Sequence, residues 1–208
     1  MSHSVPNDVD GRRARRHRNT DAVLDAVHEL FVEGHLLPTV EDVARRSGVS
    51  LRSVYRYFPD RDQLLVAALG RRLKVAEQHF ELPGLGQGSL EERIDRFVDH
   101  RLSLYDQIAP TVRAALSPAG GAPGIARAVE QRKRQLSEQS RVHFAPELEA
   151  FPAGHAADVL AGIDLLFQFE SVELLRVERG VSLERARRVL VTGLRALLTS
   201  HPAPGESV

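Results

Sequence analysis

Nowhere in this chain do apolar and polar residues alternate for long enough to make a half-buried strand. Apolar residues instead recur at every third or fourth position. The periodic segments are separated by Gly and Pro and by Ser, Thr or Asp placed where a helix would start. This restricts the fold to an all-α one. From Thr20 the apolar positions are Val23, Val27, Leu30 and Phe31, with Gly34 as the stop. Thr39 is placed to cap a short helix, with Asp42 as the acidic variant of a capping box and Gly48 at its end. Ser50 caps the next helix, which Pro59 terminates, and Asp60 opens a longer one reaching about Leu82.

Beyond "PGLGQG" (Pro83 to Gly88), Ser89 and Glu92 form a second capping box, for a helix through Ile94, Phe97, Leu104 and Tyr105. Pro110 suits the first turn of a further short helix that ends before "SPAGGAPG" (Ser117 to Gly124). A polar helix is predicted from Ile125 to Phe144. The segment from Ala153 to Val177 is apolar almost all round in its middle, "LAGIDLLFQF", and Gly180 ends it. Ser182 caps the last helix, with Leu190, Leu194 and Leu197 on its apolar side.

Composition bounds the function. The net charge is zero, so any affinity for a polyanion must come from local segregation of charge. There is no cysteine, which excludes disulfides and thiolate chemistry. The start of the chain lacks the apolar core of a signal peptide, and no run approaches the ~20 apolar residues of a membrane span. A cytoplasmic protein with no membrane partner is expected.

The stretch "VEDVARRSGVSLRSVYRYFPDRDQLL" (Val40 to Leu65) combines two short helices with a glycine turn, the arrangement of a helix-turn-helix. Val49 and Val54 would plug its core. Leu51, Arg52, Ser53, Tyr55, Arg56 and Tyr57 are then left for the outer face and the helix end. Guanidinium groups can bridge two acceptors on guanine, and tyrosine and serine hydroxyls can reach phosphates. A solvated hairpin with half-buried tyrosines is the other reading of the same pattern.

"TDAVLDAVHELFVEGHLLPTVEDVARRSGVSLRSVYRYFPDRDQLLVAAL" resembles the N-terminal DNA-binding domain of TetR-family transcriptional regulators. The matching pieces are "LF-x-E-G", "TVEDVARRSGVS" and "VYRYFPDRDQLL". The resemblance implies that Ser50 to Tyr57 is a recognition helix, with Ser53, Tyr55 and Tyr57 at DNA-facing positions. It also implies phosphate contacts from Thr39 and Arg61. Leu51 and Arg52 depart from the family's usual residues, so its operator preferences do not transfer, and Arg52 is a candidate guanine reader. The basic run "RRARRHR" (Arg12 to Arg18), with Arg12, Arg13, Arg15, Arg16 and Arg18, would add sequence-independent affinity or remain a solvated tail.

The same resemblance implies an all-α chain with an N-terminal three-helix domain and a C-terminal helical bundle for regulation and dimerisation. The expected organisation is a disordered basic arm over 1–18, the DNA-binding domain over 19–65, the effector-binding and dimerisation domain over 66–200, and a flexible tail over 201–208. The last two long helices would form the homodimer interface through Val159, Gly162, Leu166, Leu190, Gly193, Leu194 and Leu197. Phe97, His100, Leu104, Tyr105, Phe144 and Phe167 are the expected effector-pocket residues, and the effector is expected to be small, apolar and neutral or weakly charged. No cofactor and no metal are expected, because His79, His100, His143 and His155 lie on different helices without ligand spacing. No catalytic signature is present, so a helical enzyme is the remote reading. The expected function is a repressor that a small molecule releases from a palindromic operator. The alternative is a regulator controlled by a protein partner.

Overall fold

The computed structural model describes residues 7–116 and 123–200, and all regular structure among these is helical. The expected tail over 201–208 and most of "SPAGGAPG" lie outside the described residues, as do residues 1–6 of the expected arm. The described residues fall into two compact units: the chain up to Val75 with Pro110–Arg127, and Ala76–Ala109 with the chain from Ala128 onward. The first division between these units falls at the end of the helix Arg61–Ala76, whereas the boundary expected from sequence lies at residue 65, near its start.

In the first unit, α1 spans Asn7–Val32. The basic run is therefore helical and not the disordered arm expected over 1–18. Arginine is a good helix former, and His17 pairs with Asp21 one turn on, at 2.8 Å, across the predicted helix start. Helix α2 (Val40–Ser47) has the expected reciprocal cap. The Asp42 N–H donates to Thr39 Oγ1 at 3.1 Å, and the Thr39 N–H donates to Asp42 Oδ2 at 3.2 Å. Gly48 ends the helix at φ 68°, a left-handed conformation that a side chain would strain. Helix α3 (Leu51–Tyr57) begins on Ser50, whose hydroxyl accepts from the Ser53 N–H. Val43 and Val54 are completely buried, and Val49 nearly so. Arg46 clamps α2 to α1 through both guanidinium nitrogens on Glu33, each at 2.7 Å. Helix α4 (Arg61–Ala76) is tied back to α1 by Arg71, which donates to the Asp21 carbonyl at 2.9 Å.

The second unit is organised around α5 (Leu90–Leu116), of which Leu90–Ala109 belongs to this unit and which enters through the predicted Ser89–Glu92 box. Pro110 lies inside this helix and does not start a new one. An interior proline loses one helical hydrogen bond and crowds the preceding turn, a cost of about 3 kcal/mol that the packing of α5 must offset. The other elements are α6 (Pro123–His143), α7 (Ala145–Glu149), α8 (Ala153–Phe167), α9 (Phe169–Glu173), a π-turn over Leu174–Glu178 and α10 (Leu183–Leu198). The long apolar segment is broken at Gln168, whose backbone is extended. The Ser171 hydroxyl donates to the Leu165 carbonyl freed by the break. The core gathers Ile94, Phe97, Val98, Phe144, Ile163, Leu190 and Leu194. Helices α8 and α10 pack against each other. A Cβ on Gly162 would lie 3.0 Å from Leu197, and one on Gly193 would lie 3.1 Å from Leu166.

Candidate functional site

Helix α3 buries Val54 and turns its polar residues outward. Leu51, Arg52, Tyr55 and Arg56 are exposed, with Ser53 and Tyr57 half-buried beside them. Ser50 Oγ donates to Ser53 Oγ at 3.0 Å, so the Ser53 hydroxyl proton is not used in that bond. Tyr57 is fixed from two sides. Its hydroxyl oxygen accepts from Asn19 Nδ2 at 3.3 Å and from Arg56 at 3.2 Å, and the Arg16 and Arg56 guanidiniums stand over its ring. Bonds from Asn19 and then Arg56 hold the phenol below its usual pKa. With both lone pairs used, the Tyr57 proton is left to donate outward.

Arg16 and Asn19 are three residues apart on α1 and so share a face with each other. The basic stretch is thereby joined to α3 through Tyr57. Arg12, Arg13, Arg15, Arg16 and Arg18 are all exposed. Asn19 escaped the sequence reading because a lone asparagine before a helical pattern reads as a cap. Thr39 is exposed, but its hydroxyl donates to Asp42 Oδ2 at 2.7 Å. Arg61 is half-buried, and its Nε donates to the Pro38 carbonyl at 3.2 Å. It therefore holds the residue that precedes the α2 cap.

The expected effector residues separate. Phe97, Phe144 and Phe167 do converge, with ring centroids 5.2 Å and 4.9 Å from Phe97, yet Phe97 and Phe144 have no exposed surface. They fill the core and enclose no cavity. Leu104 joins Phe80, Ile108 and Leu136 in a second small cluster, and Tyr105 packs on Phe169 and donates to Glu173. His100 is half-buried, and burial followed by Arg101 lowers its pKa.

A cleft of about 460 Å³ lies between α6 and α8, and of the expected residues only Phe167 lines it. Its other walls are Leu136, Ala161 and Leu165, with Ser137, Ser140 and Gln168, and five ionisable groups: Arg101, Glu130, Lys133, Arg134 and Asp164. This lining is more polar than the apolar cavity with a few polar atoms that was expected around Phe97 and its neighbours. Arg101 was missed, although an arginine interrupting the apolar stripe of Phe97, Val98, Leu102 and Tyr105 is a legible signal. Among the described residues, no group of three or more His, Asp or Glu could hold a metal ion.

The expected interface residues also divide. Val159, Leu190 and Leu194 are at most 2% exposed within a single chain, so they belong to its own core. Gly162, Leu166, Gly193 and Leu197 are partly buried where α8 meets α10. The outer surface of this helix pair carries Ala157, Ala161, Leu165 and Val189 instead, with Leu165 63% exposed. Among the described residues, no helix is long and apolar enough to cross a membrane.

Residues 23–68 match the model of the bacterial regulatory proteins of the tetR family. The chain is 30% identical over 110 residues to the HTH-type transcriptional repressor KstR of Mycolicibacterium smegmatis, an alignment covering 53% of this chain and 52% of that one. It is 35% identical over 88 residues to the HTH-type transcriptional regulator BetI of Escherichia coli, covering 41% and 43%. The chain thus spans about half the length of these curated relatives, or less. Both are named as regulators of transcription and neither as an enzyme. The matched residues contain the capped α2, the left-handed Gly48 and the outward row of α3, so it is this N-terminal part of the chain that is similar to the tetR family of bacterial regulatory proteins.

Proposed function

We propose that the chain is a transcriptional regulator that reads operator DNA with α3 and is controlled by a small molecule bound in its second unit. The observation that carries this reading is the outward row of Arg52, Tyr55, Arg56 and Tyr57 above a helix whose inner residue, Val54, is completely buried. Arg52 is assigned base-edge contact, and Tyr55, Tyr57 and Ser53 are assigned phosphate or base-edge positions. The basic stretch of α1 adds sequence-independent attraction. Repression is favoured because one relative is named a repressor.

A homodimer on a palindromic site follows from the same logic, since two α3 helices about 34 Å apart would meet successive major-groove faces. The exposed Leu165 and Val189, with the exposed Ala157 and Ala161 on α8, support pairing through the outer faces of α8 and α10. Footprinting on the DNA flanking its own coding sequence tests the reading. A protected palindrome that Tyr55→Ala abolishes is expected, and protection unaffected by Tyr55→Ala sinks the assignment of α3. Leu165→Arg should yield a folded monomer in sedimentation. A dimer of unchanged strength would move the interface elsewhere.

A further inference from the structure

The cleft between α6 and α8 has a neutralised rim and an unneutralised floor. At the rim, Lys133 pairs with Glu170 at 3.4 Å and Arg134 with Glu130 at 3.7 Å, all four side chains being well exposed. On the floor stands Arg101, only 5% exposed. Its guanidinium donates to Gln139 Oε1 at 3.1 Å and to the Leu136 carbonyl at 2.9 Å, and it lies 4.5 Å from the centre of the Phe97 ring. Both acceptors are neutral. The nearest opposing charge is Asp164, which acts on Arg101 through space with no ion pair between them. Burial lowers the Arg101 pKa to about 10, so the group remains a cation at neutral pH.

A buried cation without a bound anion is costly, and a protein core can place methyl groups there more cheaply. Retaining a guanidinium on the floor of an open cleft is explained if the anion arrives with a ligand. The planar fork suits a carboxylate, which it can hold through two parallel bonds. Asp164 limits what else can enter. Its Oδ2 accepts from Ser137 at 2.5 Å, and its charge opposes a second anion nearby. A hydroxyl or an amine beside Asp164 would instead find an acceptor. Leu136, Leu165 and Phe167 supply apolar walls between the two polar points, and the volume of about 460 Å³ is that of a small-molecule site.

We propose that this cleft binds a small monocarboxylate with an apolar body, its carboxylate on Arg101 and a hydrogen-bond donor facing Asp164. The proposal rests on the reading of the second unit as a ligand-binding domain, and it narrows the apolar, neutral or weakly charged effector expected from sequence to a carboxylate.

The full-length protein is titrated calorimetrically with hexanoate, octanoate, decanoate and 4-hydroxyphenylacetate, each beside its carboxamide. Each bound carboxylate should exceed its amide by about tenfold or more, the value of a charge-assisted bond. Arg101→Gln should erase that difference. Because Arg101 is buried and its replacement can unfold the unit, Asp164→Asn at the partly exposed wall provides an independent arm. It should tighten the simple carboxylates several-fold and remove the advantage of the hydroxylated one. The proposal is overturned if no probe binds, if amides match carboxylates, or if Asp164→Asn weakens carboxylate binding. Displacement of bound DNA is followed separately by fluorescence anisotropy. A carboxylate that binds with the expected selectivity and leaves DNA in place supports the cleft chemistry while refuting the effector role.

Discussion

Helices α3 and α5 use the same side chain in opposite ways. On α3, Arg52 and Arg56 stand outside and the apolar Val54 is inside. On α5, Arg93 and Arg101 are inside, 4% and 5% exposed. Arg93 donates to the His143 carbonyl at 3.0 Å and to Glu147, and Arg101 has neutral acceptors and an aromatic face. An outer guanidinium keeps its water until a phosphate or a base replaces it. An inner one must find every partner within the fold. The outer arginines of α3 are thus free to meet a partner and Arg93 is fixed by the fold, while Arg101, with neutral acceptors only, stands between the two cases, and mutation should separate them.

Arg93→Ala gives the largest effect. It leaves the Glu147 carboxylate and the His143 carbonyl without their donor, and breaking a buried pair costs about 3–5 kcal/mol. Denaturant unfolding should show that loss, and a change below about 1 kcal/mol would place Arg93 among the surface arginines. Arg52→Ala should leave stability within about 0.5 kcal/mol and cost about 1–3 kcal/mol of operator affinity, relaxing preference at one position per half-site. Equal weakening on all sequences would make Arg52 a backbone contact. Next in size is the joint neutralisation of Arg12, Arg13, Arg15, Arg16 and Arg18. It should flatten the plot of log affinity against log salt while base preference persists, and an unchanged slope would leave the run merely solvated.

Much of the first unit was legible because its determinants are local. Thr39 with Asp42, Gly48 and Ser50 each act within a few residues of themselves, and each fell where the spacing put it. The second unit was less legible because its determinants are distant. His100 and Arg101 are neighbours in sequence, yet about 100° of helical rotation separates cleft floor from helix flank. Choosing between them needs the position of α6. Val159, Leu190 and Leu194 have the right spacing for an interface, but spacing cannot say whether the helix they face belongs to the same chain. The break at Gln168 has no local mark at all, since "LLFQFE" contains neither Gly nor Pro. Its origin lies in packing.

The smallest expected effect sharpens the contrast through pH. His143 is fully buried; its Nδ1 accepts from the Gly86 N–H at 3.0 Å, while Nε2 faces the Arg93 carbonyl at 3.1 Å. The ring is therefore held neutral, and burial lowers its pKa below the ordinary 6.5. A depressed folded value means that the unfolded chain binds the proton more readily. The stabilisation is complete above pH 6.5 and is lost as pH falls through the lower folded value. His28 in the first unit and His100 in the second shift the same way, so the variant isolates the contribution. His143→Gln should lower the melting temperature at pH 7.5 and reduce its fall below pH 6.5. A melting curve whose acid dependence matches the parent protein would assign that dependence to groups other than His143.

Thr39 has one hydroxyl proton. In the free protein that proton goes to Asp42, so the same hydroxyl cannot also donate to a phosphate. A DNA contact at this position must proceed by exchange. The hydroxyl turns from the carboxylate to the phosphate, and Asp42 keeps only the Thr39 and Arg45 donors that remain, the main-chain N–H at 3.2 Å and the guanidinium at 3.2 Å. If Thr39 contacts a phosphate, the affinity gained there is a difference between two bonds, and the start of α2 loosens slightly on binding.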